Sequence, residues 1–316
     1  MTRLGKTSVD LPPFGLGTGA FSDTPAQPGK WGGVVEDEAI DMIDYVLGHG
    51  MAFIDTAPWY GDKAAERIIG KALEGRKRSS YVLATKVCQE FRGNDAWHFY
   101  GRDDVLRGLE GSLKRLKLSE VDILHIHDPI DEGFEQIVNE TFPLLQELKQ
   151  QGVCKAISTG TGNPQIAMRL ARELPLDALM LAGRYTLLEQ TALGGLEELH
   201  GRGIPVIAAG IYNSGILATG TKGRAYYNYQ SAPPDVVARV QRLEAVCEKH
   251  GVSLKAAAAQ FVKANEAIVS IVLGAESVEQ IRENAAVFDE IIPVEFWQDL
   301  QRQALIDPRA PLPIHG

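Results

Sequence analysis

The chain has 316 residues, 45% of them hydrophobic and 23% charged, too apolar for disorder and long enough to bury a core without disulfide or metal staples. Asp and Glu outnumber Lys and Arg by 41 to 32, a net charge of −9, which repels phosphate backbones and anionic membrane surfaces and argues against nucleic-acid or membrane partners. No apolar run approaches the roughly 18 residues that span a bilayer, and the opening MTRLGKTSVDLPP lacks a signal-peptide hydrophobic region, so a cytoplasmic location is expected.

Along the chain, short apolar runs rich in β-branched residues alternate with amphipathic stretches, the pattern of a parallel sheet wrapped by helices. The expected strands are PFGLGT, AFIDT, SYVLATK, VDILHIH, VCKAIS, ALMLAG, IPVIAA and AIVSIVLG. The expected helices lie within residues 36–50, 63–75, 103–116, 134–152, 164–173, 193–203, 236–251 and 277–288, with Gly48, Gly75, Gly152 and Gly251 placed as left-handed caps. The interval after the seventh strand is long. It holds GIYNSGILATGTKGRAYYNYQSAPP, expected to be a loop over one end of the fold. Cys88, Cys154 and Cys247 are odd in number, far apart and without a Cys-x-x-Cys spacing, so they read as free thiols.

Eight βα units over residues 1–316 predict a single (β/α)8 barrel domain, whose active site belongs at the C-terminal ends of the strands. The rival is a doubly wound dinucleotide fold, but Gly15-Leu16-Gly17-Thr18-Gly19 has the wrong spacing for its fingerprint and leads into the loop FSDTPAQPGKWGG. Polar residues at the strand ends are Thr18, Asp55, Lys86, His127, Ser158 and Arg184, with Tyr60 on the loop after Asp55. An ammonium near a phenol favours the phenolate, so Lys86 is expected to lower the pKa of Tyr60. Asp55 pairs with Lys86, and His127 offers a hydrogen bond to a substrate oxygen. Taken singly, Asp55 also reads as a loop cap, Lys86 as a buried ion-pair partner and Tyr60 as packing. By strand alternation His125 points the same way as His127 one layer deeper and reads as a core histidine.

DTAPWYG at 55–61, ATK at 84–86 and DILHIHDP at 122–129, in that order among eight βα units, resemble the aldo-keto reductase superfamily over essentially the whole chain. The resemblance implies a catalytic tetrad of Asp55, Tyr60, Lys86 and His127, with Tyr60 as acid/base, hydride exchange with a nicotinamide ring, and no metal. AGRYTLLEQ at 182–190 and YNSGILATG at 212–220 resemble the superfamily's bacterial sugar dehydrogenases of the L-fucose and D-threo-aldose type, and pyridoxal 4-dehydrogenase. The implied reaction oxidises the C1 hemiacetal hydroxyl of a free aldose such as L-fucose, D-arabinose or L-galactose to a lactone. The alternatives are a pyridoxal dehydrogenase or general aldehyde reductase, and, from another class, a nicotinamide-loaded regulatory subunit.

The resemblance also implies where NAD or NADP would lie. Gly17, Thr18 and Gly19 begin the cofactor surface, and Tyr212, Asn213, Ser214, Gly215 and Leu217 match the loop that clasps the pyrophosphate. The superfamily's usual carboxamide-binding pair reads Gly160-Thr161, its usual Gln is Ala182, and its usual stacking aromatic is Ala209, leaving Ser158, Asn163, Arg184 and Tyr185 as alternatives. In LGAESVEQIREN, the positions that carry Lys or Arg against a 2′-phosphate in NADP-using relatives read Gly274, Glu276 and Gln280. A carboxylate there repels a phosphate and accepts a hydrogen bond from a ribose hydroxyl, so NAD is favoured, unless Arg282 swings in or Glu276 is simply solvated. Ser277 serves as a helix cap or a phosphate contact, and Asn284 lies on the same segment. Trp59, Cys88 and the aromatic stretch Trp97-His98-Phe99-Tyr100 are candidates for a substrate pocket, with packing under a loop as the other reading.

Overall fold

The computed structural model describes residues 1–25, 32–92, 95–223 and 225–313. Eight parallel strands close into a barrel, the (β/α)8 architecture expected from the alternation of apolar runs. In chain order they are β1 (Phe14–Gly17), β2 (Phe53–Asp55), β3 (Val82–Val87), β4 (Ile123–His127), β5 (Ala156–Thr161), β6 (Ala178–Ala182), β7 (Val206–Ala209) and β8 (Ile268–Gly274). Each pairs with the next, and β8 pairs with β1 to seal the cylinder.

Helices α1 (Glu36–Gly48), α2 (Ala64–Ala72), α3 (Arg102–Leu116), α4 (Phe142–Gln150), α5 (Pro164–Glu173) and α6 (Leu193–Gly201) follow the first six strands. After β7 come α7 (Pro234–His250) and α8 (Leu254–Lys263), and after β8 come α9 (Val278–Ala286) and α10 (Val294–Arg302). The expected 134–152 helix is broken by a π turn over Ile137–Thr141 before α4 begins. Gly75, Gly152 and Gly251 adopt the expected left-handed backbone, whereas Gly48 ends α1 and Gly50 (φ 76°) takes that role.

Besides a single turn at Ile216–Thr219 in the expected long loop, two longer helices lie outside the sequence reading. In α8, Ala256, Ala257, Ala258 and Ala259 are all fully buried, so the helix has almost no polar face to reveal its period, although Ser253 caps it by accepting from the Ala256 N–H at 3.2 Å. The other, α10, buries Phe296, Trp297 and Leu300 against the body of the protein.

A small antiparallel hairpin pairs Thr2–Arg3 with Asp10–Leu11. It packs Leu4, Val9 and Leu11 against Phe53, Ala84 and Ile123 inside the barrel. These are the inward residues near the strands' N-terminal ends, so the hairpin plugs that end and leaves the C-terminal end as the open mouth.

Candidate active site

Strand register sets the polar layer beneath the mouth. Asp55, last residue of β2, pairs with Gly17 and Ala84. Lys86 on β3 lies level with His125 on β4, and His125 with Ser158 on β5. His127 is two residues further along β4 and therefore on the same inner side. The Lys86 ammonium donates to Asp55 Oδ2 at 2.7 Å and to the Thr56 carbonyl at 2.8 Å, with both charged groups 2% exposed. Tyr60 comes from the loop after β2. Its ring centroid lies 4.9 Å from Lys86 Nζ and 6.1 Å from the His127 ring, which meets it edge-on. Thr18 fastens the base of this layer by directing both its N–H and its hydroxyl at the Asp55 carbonyl, each at 3.0 Å.

The Tyr60 loop is shaped by three successive left-handed residues, Gly61, Asp62 and Lys63. At Gly61 (φ 57°) a Cβ would meet the Phe21 carbonyl oxygen at 2.4 Å, so only glycine lets the turn close against the loop after β1.

Burial dominates the electrostatics. It raises the Asp55 carboxyl above its ordinary value, opposed by the Lys86 charge and hydrogen bond. It lowers His127 well below the usual histidine range, with the Lys86 charge adding to the effect. The imidazole is therefore neutral near pH 7 and able to donate one hydrogen bond and accept another. The expectation that Lys86 lowers the Tyr60 pKa is corrected: burial, and then the Asp55 carboxylate, push the phenol well above 10. The ammonium is already engaged by Asp55 and Thr56, so its field at the phenol is largely cancelled.

Around the mouth, Trp59 stacks on Phe91 with ring centroids 3.6 Å apart. Phe91 belongs to a hairpin pairing Gln89–Arg92 with Asp95–His98, in place of the expected aromatic loop. Asp128, in a left-handed conformation just past β4, has a side chain about half exposed (48%) with Oδ2 at 3.8 Å from His127 Nε2. Thr161 at the end of β5 and the Gly162 N–H lie near enough to its carboxylate to oppose the upward push of burial on its pKa. Neither Asp128 nor Thr161 was singled out from the sequence as a substrate contact. Their signal is positional: each ends, or directly follows, a strand at the mouth.

Several expected contacts lie elsewhere. Ser158 is fully buried three residues short of the end of β5, because that strand continues to Thr161, and its hydroxyl bonds the Thr159 carbonyl at 3.2 Å. Cys88 (φ 80°) turns away from the barrel axis, fully buried with its thiol against Thr141, so it does not line a pocket. Asn163 caps α5, accepting from Gln165 and Ile166, and Tyr185 is buried in a stack on Phe261. Of the alternatives, Arg184 remains near the mouth. It donates to the Gly162 carbonyl, pairs with Glu189 at 3.1 Å, and approaches Tyr227 and Asn228.

The chain matches the aldo/keto reductase family over residues 13–304. It belongs to that family. It is 32% identical to the pyridoxal 4-dehydrogenase of Microbacterium luteolum, covering 96% of this chain and 97% of that one. It is also 32% identical to the D-threo-aldose 1-dehydrogenase of a Pseudomonas species (86% and 89% covered) and 30% to the L-galactose dehydrogenase of Arabidopsis thaliana (98% and 94%). In fold it resembles an aldo-keto reductase from Bacillus halodurans in its holo form, with a TM-score of 0.80 at 22% identity over 98% of this chain and 96% of that one. The chain is accordingly an NAD(P)-dependent oxidoreductase acting on a small molecule.

The loop after β7, expected to clasp a dinucleotide, carries polar atoms and open space that such a ligand could use. Asn213, Ser214 and Gly215 are left-handed in succession, a strained run of the kind kept for function. Asn213 Oδ1 and Tyr212 Oη are buried without a hydrogen-bond partner among the described residues, and a Cβ at Gly215 would meet no atom within 4 Å. Polar groups and space are thus both in place for a ligand. Leu217, by contrast, is fully buried beneath the loop with its N–H given to the Tyr212 carbonyl, so it packs the loop from behind. The same segment continues into a hairpin of Tyr226–Tyr227 with Gln230–Ser231, carrying exposed Tyr229 at its turn.

On the segment expected to meet the adenosine, Ser277 caps α9 by accepting from the Gln280 N–H, and Gln280 in turn accepts from the Glu276 N–H at 2.8 Å. Asn284 donates to the Gly274 carbonyl at 3.3 Å. Glu276 accepts from the Gly32 N–H at 2.8 Å, tying the loop after β1 to the end of β8. Arg282 lies over the Tyr45 ring and pairs with Glu279. Among the described residues, no group of three or more His, Cys, Asp or Glu could hold a metal ion, and no helix is long and apolar enough to cross a membrane.

Proposed function

We propose that this enzyme oxidises the C1 hemiacetal hydroxyl of a free aldose, of the L-fucose, D-arabinose or L-galactose type, to a lactone. The observation that carries this reading is the buried Lys86–Asp55 pair beneath Tyr60 and His127 at the open mouth of the barrel. Tyr60, as phenolate, takes the proton from the C1 hydroxyl, while neutral His127 hydrogen-bonds the same oxygen and fixes its direction. Lys86, held by Asp55 and the Thr56 carbonyl, lies under the Tyr60 ring, its Nζ 4.9 Å from the centroid, and fixes the floor of the site. The nicotinamide cofactor, when bound, would supply the acceptor for the C1 hydride. With an aldehyde as substrate instead, Tyr60 donates its proton to the carbonyl oxygen as the aldehyde is reduced to an alcohol.

The mouth suits a neutral polyol. Asp128 offers a carboxylate to sugar hydroxyls, and the Trp59–Phe91 stack offers an aromatic surface for the less polar face of a ring. A carboxylate substrate would meet the repulsion of Asp128. The names of the D-threo-aldose and L-galactose dehydrogenase relatives support the aldose reading, and that of the pyridoxal 4-dehydrogenase supports pyridoxal as a second one. Assaying purified protein against L-fucose, D-arabinose, L-galactose and pyridoxal, with reduced-cofactor absorbance as the signal, tests both. Turnover of an aldose is expected. Turnover of pyridoxal alone would favour the second reading, and silence on the whole panel would remove both.

NAD is the proposed cofactor. The Glu276 carboxylate, held by Gly32, stands on the segment expected to meet the adenosine ribose, and Arg282 is engaged by Tyr45 and Glu279. A carboxylate there can accept a hydrogen bond from a free ribose 2′-hydroxyl. Titration of cofactor binding should therefore give a lower Kd for NAD than for NADP. Tighter NADP binding would refute the preference.

A further inference from the structure

His125 is a fully buried imidazole for which the reaction above has no use. Both of its ring nitrogens lack a hydrogen-bond partner among the described residues, and so does Asp55 Oδ1. These orphans are neighbours: His125 Nε2 and Asp55 Oδ1 stand 3.7 Å apart. That gap is too short to seat a water between them and only about 0.8 Å longer than an ordinary N–H···O bond, so a small side-chain rotation closes it. Buried polar groups left unpaired are costly, and here each can satisfy the other.

We propose that His125 is a positioning residue for Asp55, its neutral imidazole donating Nε2–H to the otherwise unpartnered Oδ1 and so holding the carboxylate ionised and aimed at Lys86. The inference rests on the reading of Tyr60, Lys86 and Asp55 as the reacting site. Asp55 is faced by Lys86 from β3, by His125 from β4 and by Tyr60 from its own loop. His125 is faced by Lys86 and Asp55, by His127 on its own strand, and by the uncharged Ser158 of β5. The Lys86 ammonium and the dry surroundings keep His125 neutral, which leaves it one N–H to give. Because burial raises the Asp55 carboxyl, Oδ1 is where a further donor is needed. Once Asp55 is protonated, Lys86 loses its anchor.

The test compares His125→Leu and His125→Gln with the unsubstituted enzyme and with Tyr60→Phe, following kcat and KM against pH on the panel substrate turned over best. Glutamine places an amide N–H close to the position of Nε2, whereas leucine has no donor. His125→Leu should lower kcat by about ten- to a hundredfold with KM little changed, and move the acid limb of the profile up by about one to two pH units. His125→Gln should recover most of both. An unchanged acid limb and kcat in His125→Leu, or no rescue by glutamine, overturns the proposal.

Should the leucine variant fail to fold, nitrogen-15 histidine spectra of the unsubstituted protein without cofactor decide the matter. A neutral Nε2–H tautomer of His125 throughout about pH 5 to 9 is expected, and an Nδ1–H tautomer or a titration near 6.5 overturns it. Loss of turnover in Tyr60→Phe with normal His125→Leu defeats this inference alone. Retained turnover in Tyr60→Phe defeats the reading of the site beneath it.

Discussion

A phenol buried beside a carboxylate is reluctant to ionise, and in this protein that reluctance separates the two directions of the reaction. Reduction needs the protonated form of Tyr60, which is present below its raised pKa and lost only as pH climbs through it, so the reductive rate should hold steady from neutral pH to beyond about 10. Oxidation needs the phenolate, so its rate should climb with pH over the same range. His127, neutral because its pKa is depressed, should add no break near 6.5 in either direction. Initial rates measured both ways across pH check this, and an oxidative plateau already reached near neutrality would contradict it. Asp55, Lys86 and His127 were legible in the sequence because strand alternation and motif order place them at β-strand ends. The sign of the Tyr60 shift was not, because it depends on what else the ammonium touches. Ser158 and Cys88 were misplaced for backbone reasons: β5 runs three residues past Ser158, and a left-handed residue at Cys88 turns its thiol outward.

Among the elements, α2 and α3 cross so closely at Gly70 that a Cβ there would lie 2.1 Å from the Arg115 carbonyl oxygen. Alanine favours a helix over glycine by about 1 kcal/mol, but a backbone clash of that depth forces the helices apart. Gly70→Ala should therefore lose about 1 to 3 kcal/mol of stability net, seen as a lower urea midpoint with the slope unchanged. A stabilised variant would show that the crossing relaxes freely. Glu66, one turn earlier on α2, is buried and held by Arg115 at 2.7 Å and by the Thr85 hydroxyl, so α2 is tied to both α3 and β3. Helices with two-sided patterns were readable from periodicity. The alanine-rich α8 was not, since a helix buried nearly all round loses the contrast that marks its period. The two hairpins at the mouth escaped for another reason: Gln89–Arg92 with Asp95–His98 and Tyr226–Tyr227 with Gln230–Ser231 are strands of four and two residues, too short to register as alternation.

At the scale of the whole molecule, the chain divides its labour between the two ends of one cylinder. The N-terminal hairpin seals one end with Leu4, Val9 and Leu11, and the long connections after β1, β2, β3 and β7 gather at the other. A charged lysine and aspartate are kept almost fully buried within that framework, and their neighbours at the mouth are a phenol, a neutral imidazole and a carboxylate. Fold and polar layer followed from the succession of eight strands, but the loops that choose a substrate did not, because their conformations depend on left-handed residues and contacts distant in sequence. The most direct measurement is turnover and nicotinamide binding in Tyr60→Phe, which removes one hydroxyl and leaves the ring over Lys86. The enzyme should lose at least about a thousandfold in kcat while its cofactor Kd stays within about twofold. Turnover near that of the unsubstituted enzyme, with the variant folded and binding cofactor, would contradict the account.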